Sequence, residues 1–153
     1  MVFISALKFL HSANVLHADL KLNNIMITDS GIVKLVDFDA ARELGTPARF
    51  HTSWNVNPSG RKPIEVLTAT PYTTEPDIWA LGFCVVDMLA PNNAVQPSES
   101  PMAQIDFIQQ LGGPIHPRFF HKDNPRASVR RYFRPSGFMQ SSTDFCPPKL
   151  LIL

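Results

Sequence analysis

Apolar residues fall at Phe3, Leu7 and Leu10, flanked by Ile4 and Ala6, and this three-to-four spacing predicts a helix over residues 1–12. The β-branched run Ile25-Met26-Ile27, the polar Thr28-Asp29-Ser30-Gly31 and then Ile32-Val33-Lys34-Leu35-Val36 predict two short strands around a glycine-containing turn. From Arg42 to Arg61 no period persists, and Gly45, Pro47, Pro58 and Gly60 interrupt the chain. A loop of that length inside a compact domain is usually functional. Thr74-Glu75-Pro76-Asp77 has the form of a helix start, with Thr74 as cap and Pro76 in the first turn. That helix is expected to run through Trp79, Leu81, Val85 and Met88 to about Ala90, where Pro91 and Asn92 end it. Pro97 to Pro101 reads as a loop, and Met102 to Leu111 as a shorter helix closed by Gly112-Gly113-Pro114. Residues 1–46 contain no proline, whereas all 14 lie between Pro47 and Pro148, so the first third can hold long regular elements and the rest is segmented.

The chain has 153 residues, 44% hydrophobic and 18% charged, enough for one packed core and against a disordered chain. No stretch reaches the ~18 to 20 apolar residues that cross a bilayer. The longest, Ile78 to Ala90, carries Asp87. The N-terminus lacks a basic leader region and Lys8 interrupts its apolar run, so an intracellular protein of cytoplasm or nucleus, without a membrane partner, is expected. Cys84 and Cys146 are too few for a disulfide framework or a cysteine-rich zinc site. Cys84, on the predicted helix, reads as a buried, inert thiol.

The global charge of +1 names no partner, but its distribution is uneven. Residues 118–134 hold Arg118, Lys122, Arg126, Arg130, Arg131 and Arg134 against Asp123, a local +5; residues 135–153 are neutral, which leaves −4 on the first 117. Phe119, Phe120, Tyr132 and Phe133 interleave the cations, as in stacking surfaces for single strands. A solvated basic tail explains the same residues more simply, and nucleic acid is not expected as a partner.

The residues that carry chemistry are His17-Ala18-Asp19-Leu20-Lys21-Leu22-Asn23-Asn24, then the predicted hairpin, then Val36-Asp37-Phe38. Taken singly, an Asp in an Asn-rich loop is ordinarily a turn-former or a cap. Jointly, His17, Asp19, Lys21, Asn24, Asp37 and Phe38 form a pattern expected by chance roughly once in 10⁶ to 10⁷ windows at typical residue frequencies. The pattern resembles the catalytic loop (H-R-D-L-x-x-x-N) and metal-binding segment (D-F-G) of the eukaryotic protein kinases. Asp77-Ile78-Trp79-Ala80-Leu81-Gly82 looks like that family's D-x-W-S-x-G helix, whose Asp braces the catalytic-loop backbone. Trp79 and Leu81 also read simply as core residues of that helix. Leu111-Gly112-Gly113-Pro114 is similar to the L-G-T-P of the cyclin-dependent and mitogen-activated group.

The resemblance implies a serine/threonine protein kinase, closest to that group, using ATP and Mg²⁺. Asp19 and Lys21 would be catalytic, with Asp19 taking or orienting the proton of the acceptor hydroxyl and Lys21 neutralising the transferring phosphoryl. Lys21, Asn24 and Asp37 would bind the cofactor, Asn24 and Asp37 as oxygen ligands of the metal. His17 would be a packing residue of the loop. A protein substrate is the implied partner, with room for a regulatory protein.

The chain also departs from the pattern. Ala18 stands where H-R-D has its Arg, the residue that in many kinases pairs with a phosphate on the activation loop. An ungapped count from Asp37 suggests Thr52 for that phosphorylation position, where its phosphate would lack the usual partner; a plain loop hydroxyl explains Thr52 equally well. Asp39 replaces the Gly of D-F-G. Arg61-Lys62-Pro63-Ile64-Glu65 blurs the A-P-E motif, and Glu65 fits it only with one added residue. No G-x-G-x-x-G occurs among the seven glycines, and no strand Lys or helical Glu precedes the loop.

The expected fold is therefore α+β and mainly helical: a protein-kinase-like C-terminal lobe fragment with a small β-hairpin, the N-terminal lobe absent. Residues 1–124 form that partial lobe and 125–153 a basic, proline-containing, poorly ordered tail. The isolated chain is expected to be inactive, for want of half of the ATP site. Two alternatives stand beside this. One is a non-catalytic kinase-like binding module, a pseudokinase. The other is a small-molecule kinase of the aminoglycoside or choline type, in which Ala18 and Asp39 are comfortable but Lys21 and the Asp77 helix are not required.

Overall fold

The computed structural model describes residues 2–45, 55–91 and 98–119. Helix α1 (Val2–Ser12) places Leu7 inward, with Phe3 packed on the same cluster, as the spacing predicts. It leads into β1 (Val15–Leu16), the loop 17–24 and a 3₁₀ turn (Leu22–Asn24). Strands β2 (Ile25–Ile27) and β3 (Val33–Leu35) form the expected antiparallel hairpin, pairing Ile25 with Leu35 and Ile27 with Val33. Gly31 closes its turn at φ +78°, a conformation that costs a side-chain-bearing residue energy. Thr28 Oγ1 secures the turn by accepting the Ile32 N–H at 3.0 Å.

Two elements were not visible in the pattern. Strand β4 (Arg42–Glu43), inside the segment read as a loop, pairs antiparallel with β1, Val15 opposite Glu43 and Leu16 opposite Arg42. Two residues are too few to show a period, so pairing across 26 and 28 positions defines them. Helix α2 (Ile64–Leu67) is a single turn, equally short of a signal.

Helix α3 (Glu75–Leu89) begins and ends where expected, with Pro76 in its first turn and Ala90 as its C-cap. Thr74 occupies the cap position but its side chain makes no capping bond. Instead the Glu75 carboxylate reaches back to accept both the Thr73 N–H (2.6 Å) and the Thr73 hydroxyl (3.0 Å). Helix α4 (Pro101–Gly112) is capped by Ser100, whose Oγ accepts the Ala103 N–H, and stops at Gly113 with φ +80°. No described helix is long and apolar enough to cross a membrane.

Among the described residues the core falls into three small clusters rather than one slab. Leu16, Ala18, Leu44, Val56, Val66 and Tyr72 make the first. Leu7, Leu20 and Ala80 make the second, joined by Phe3, Leu35 and Leu81. Leu67 and Ile105 anchor the third, between α2 and α4. Ala18 and Leu20 thus point into different clusters, and the loop between them is clamped from both sides.

Leu16 is fully buried at the junction of β1 and the first cluster. Leu16→Ala should lower unfolding free energy by about 2–5 kcal/mol in a urea titration, the range for truncating a buried Leu. Burial, with Asp87 adding to it, pushes the Cys84 thiol up to about 11. In a Cys146→Ser background Cys84 should therefore resist a disulfide reagent at pH 8 until the chain is unfolded; rapid native labelling would contradict its burial.

Candidate active site

Asp77 sits in the first turn of α3 and is wholly buried. Its Oδ2 accepts the His17 N–H at 2.8 Å and its Oδ1 the Ala18 N–H at 3.0 Å. His11 Nε2, from the last turn of α1, lies 2.9 Å from the same Oδ2. A buried carboxylate is tolerable only with its lone pairs satisfied, and here three groups satisfy them. The loop needs that hold because Ala18 takes φ +68°, a conformation disfavoured for a residue with a Cβ.

His17 is buried beneath the loop with both ring nitrogens used. Nε2 lies 3.2 Å from the Val36 carbonyl, which accepts, so Nδ1 is the unprotonated nitrogen that receives the Asp19 N–H at 3.4 Å. The ring also meets Phe38, centroids 4.8 Å apart. This ties the loop to the chain just after Val36 and leaves His17 no proton to exchange with a ligand.

From this base Asp19, Lys21 and Asn24 converge. Lys21 Nζ donates to Asp19 Oδ2 at 2.7 Å, and both side chains remain partly open to solvent. Asn24, buried, donates from Nδ2 to the Asp19 carbonyl at 2.9 Å and to Asp19 Oδ2 at 3.3 Å. Both bonds use the amide nitrogen, so Oδ1 is the atom left to act as a ligand. Asp37 is exposed at φ +64°, close enough for its charge to act on Lys21. The hydrogen bond to Asp19 raises the Lys21 pKa, with the Asp19 and Asp37 charges adding to it, so Lys21 stays cationic. All four predicted site residues are thus brought to one place. Thr52 lies outside the described residues, as do Cys146 and the basic tail beyond Phe119.

Against this cluster opens a groove of about 270 Å³, lined by Lys21, Leu22 and Asn23 from the loop, Arg61 from the following segment, and Phe83 and Asp87 from α3. Asp87 pairs with Arg61, whose guanidinium also lies 5.0 Å from the Phe83 ring centroid. The segment carrying Arg61 is fixed to the loop. Asn57 donates its N–H to the Ala18 carbonyl and its Nδ2 to the Pro76 carbonyl, and Trp79 Nε1 donates to the Arg61 carbonyl.

A protein kinase domain model matches residues 2–130. The chain belongs to the protein kinase family. Cyclin-dependent kinase-like 2 of Rattus norvegicus is 35% identical over 130 residues, 83% of this chain and 25% of that protein. Cyclin-dependent kinase 10 of Rattus norvegicus is 38% identical, and cyclin-dependent kinase 2 of Caenorhabditis elegans 36%, each over 110 residues, 72% of this chain and 30% of the relative. The chain spans about a quarter to a third of the length of these curated relatives.

Sequence reasoning on this kinase chain missed His11, Asn57 and Lys62. His11 had one local cue, a polar residue in the last turn of an otherwise apolar helix. Lys62 is buried, donating from Nζ to the carbonyls of Val56 (3.0 Å) and Asn57 (3.2 Å), and a Lys in a loop gives no sign of that. Asp77→Ala should cost about 3–5 kcal/mol, because donors buried against a charged acceptor lose it together. Asp77→Asn should keep the fold better yet speed hydrogen exchange at the His17 and Ala18 amides. Unchanged exchange there would show that the carboxylate does not hold the loop.

Proposed function

We propose that this chain supplies the catalytic loop of a serine/threonine protein kinase that transfers the γ-phosphoryl group of ATP to a hydroxyl of a protein substrate. The observation that carries the reading is that Lys21 Nζ and Asn24 Nδ2 both meet Asp19 Oδ2, at 2.7 and 3.3 Å, while the Asp37 charge acts on Lys21 and Lys21 lines a groove. Phosphoryl transfer asks for positioning and charge stabilisation rather than covalent work by the protein. Asp19, partly open to solvent, would receive the proton of the acceptor hydroxyl and orient it. Lys21, cationic and anchored on Asp19, would stabilise negative charge on the transferring group. The groove would take the chain flanking the acceptor residue.

The donor set suits Mg²⁺, which prefers oxygen ligands and binds through one or two side chains together with substrate phosphates. Asn24 Oδ1 and the exposed Asp37 carboxylate would hold it, and when bound it neutralises phosphate charge. Among the described residues no three His, Cys, Asp or Glu side chains gather as a metal cluster, so the phosphates would complete the site. The relatives' names point to a regulatory protein of the cyclin type as partner. The reading places the protein inside the cell, in cytoplasm or nucleus.

A specific feature favours the non-catalytic binding module as the second reading: the Ala18 side chain lies in the first core cluster, so no cation stands there to receive a loop phosphate. In the protein as its own cells make it, Asp19→Asn should cut phosphate transfer by about 10²–10⁴-fold, the usual loss of a general base. Parent-like transfer by that variant would remove the assignment. The 153 residues alone should transfer little or nothing, lacking a Gly-rich phosphate loop; robust Mg·ATP turnover by them would overturn that part. Absence of any nucleotide-linked rise in melting temperature would move the reading to the binding module.

A further inference from the structure

The groove beside the candidate site carries two charged pairs that the chain closes on itself. One is Lys21 with Asp19, given above to the reacting groups. The other is Arg61 with Asp87: Nη1 donates to Oδ2, and the two side chains are only 18% and 20% exposed. The rest of the lining is largely apolar, with Leu20, Leu22, Pro58, Ala80 and Phe83. Cys84 adds no charge, since burial holds its thiol protonated at neutral pH.

The Arg61 guanidinium is seated as a bound cation would be. It lies 5.0 Å from the Phe83 ring centroid while it faces the Asp87 carboxylate. A ring face and an anion are the two partners that draw a cation out of water. Phe83 is itself fixed between Trp79 and Phe107, with centroids 5.5 and 6.2 Å away. The backbone that delivers Arg61 is held independently of its side chain. The Arg61 N–H donates to the Pro58 carbonyl, and the Arg61 carbonyl accepts from Trp79 Nε1 at 3.0 Å. Ser59 Oγ, in the same turn, donates to Glu99 at 2.6 Å. The fold thus builds a cation-binding corner and fills it with its own residue.

We propose that Arg61 determines specificity: by occupying Asp87 and the Phe83 face it closes the groove to basic side chains and leaves it for an apolar side chain of the substrate peptide. The inference rests on the reading that the groove takes the chain flanking the acceptor residue. An incoming arginine or lysine would give up hydration and find Asp87 already bonded. An aspartate or glutamate would find both cations already paired with carboxylates. A leucine-like side chain meets Leu22, Pro58 and Phe83 and gains by leaving water.

The test is the binding of three labelled peptides to the full 153-residue chain, followed by fluorescence anisotropy. The peptides share a central serine and differ only in having leucine, arginine or aspartate beside it. The parent should bind the leucine peptide about tenfold more tightly than either charged one. Arg61→Gln uncovers Asp87 and should strengthen binding of the arginine peptide about tenfold, a gain that fades between about 0.05 and 0.5 M salt. Asp87→Asn releases Arg61 and should do the same for the aspartate peptide, so either variant decides if the other fails to fold. An order of preference unchanged in a folded variant, or a parent that favours arginine, would sink the inference. Failure of all three peptides to bind the parent would sink it too. The transfer assay of Asp19→Asn judges the kinase reading separately, so the two failures are told apart.

Discussion

One buried carboxylate holds the part of the molecule on which everything else depends. Asp77 lies 60 residues from His17 in sequence, yet its two oxygens gather the N–H groups of His17 and Ala18 and the ring of His11. Left alone, a loop with Ala18 at φ +68° would relax, since such a backbone costs about 1–2 kcal/mol and offers no ladder of its own. The carboxylate offsets that cost with charge-assisted hydrogen bonds in a site closed to water. Its position at the start of α3 helps, because the positive end of a helix favours an anion.

Holding the backbone at residues 17 and 18 sets the direction of everything that follows. Ala18 and Leu20 alternate inward, each into a different apolar cluster, so the side chains of Asp19 and Lys21 are left partly open to solvent, Lys21 lining the groove. Asn24 then closes the loop by donating to the Asp19 carbonyl. The hairpin β2–β3 returns the chain, and the His17 ring, bonded to the Val36 carbonyl and set against Phe38, locates Asp37. The geometry of the candidate site is a consequence of packing on both sides of a short loop rather than of the loop's own preferences.

What the sequence made legible follows from the range of each interaction. Helices α1, α3 and α4 and the hairpin were readable because periodicity, Pro76, Gly31 and Gly113 act within a few residues. Strand β4 and the turn α2 were not, because two or four residues show no period and only partners far along the chain define them. Thr74 was read as a cap from its type alone, whereas its side chain makes no capping bond and the side-chain bonds at this end run from Thr73 to the Glu75 carboxylate. The candidate site was legible only as a joint pattern, since it is the resemblance of that pattern to the family's motifs that singles out Asp19, Lys21, Asn24 and Asp37. Their supports were not, because Asn57 and Lys62 act through backbone carbonyls and carry no motif.

The same supports explain how Ala18 can stand where many kinases have an arginine. An arginine there gathers the following segment through an added phosphate, a contact made of charge. In this chain the Ala18 side chain lies in the core and its carbonyl accepts the Asn57 N–H. Asn57 also reaches the Pro76 carbonyl, and Lys62, itself buried, ties the carbonyls of Val56 and Asn57 while its own N–H donates to Gln104. Gln104 in turn belongs to α4 and donates to the Ser98 carbonyl. Residues 56–62 are therefore anchored to the loop by a backbone bond, and to α3 and α4 by side-chain to backbone bonds, none of which needs a phosphate. Order in this stretch is built into uncharged acceptors and one buried lysine, and it is present before any modification is made.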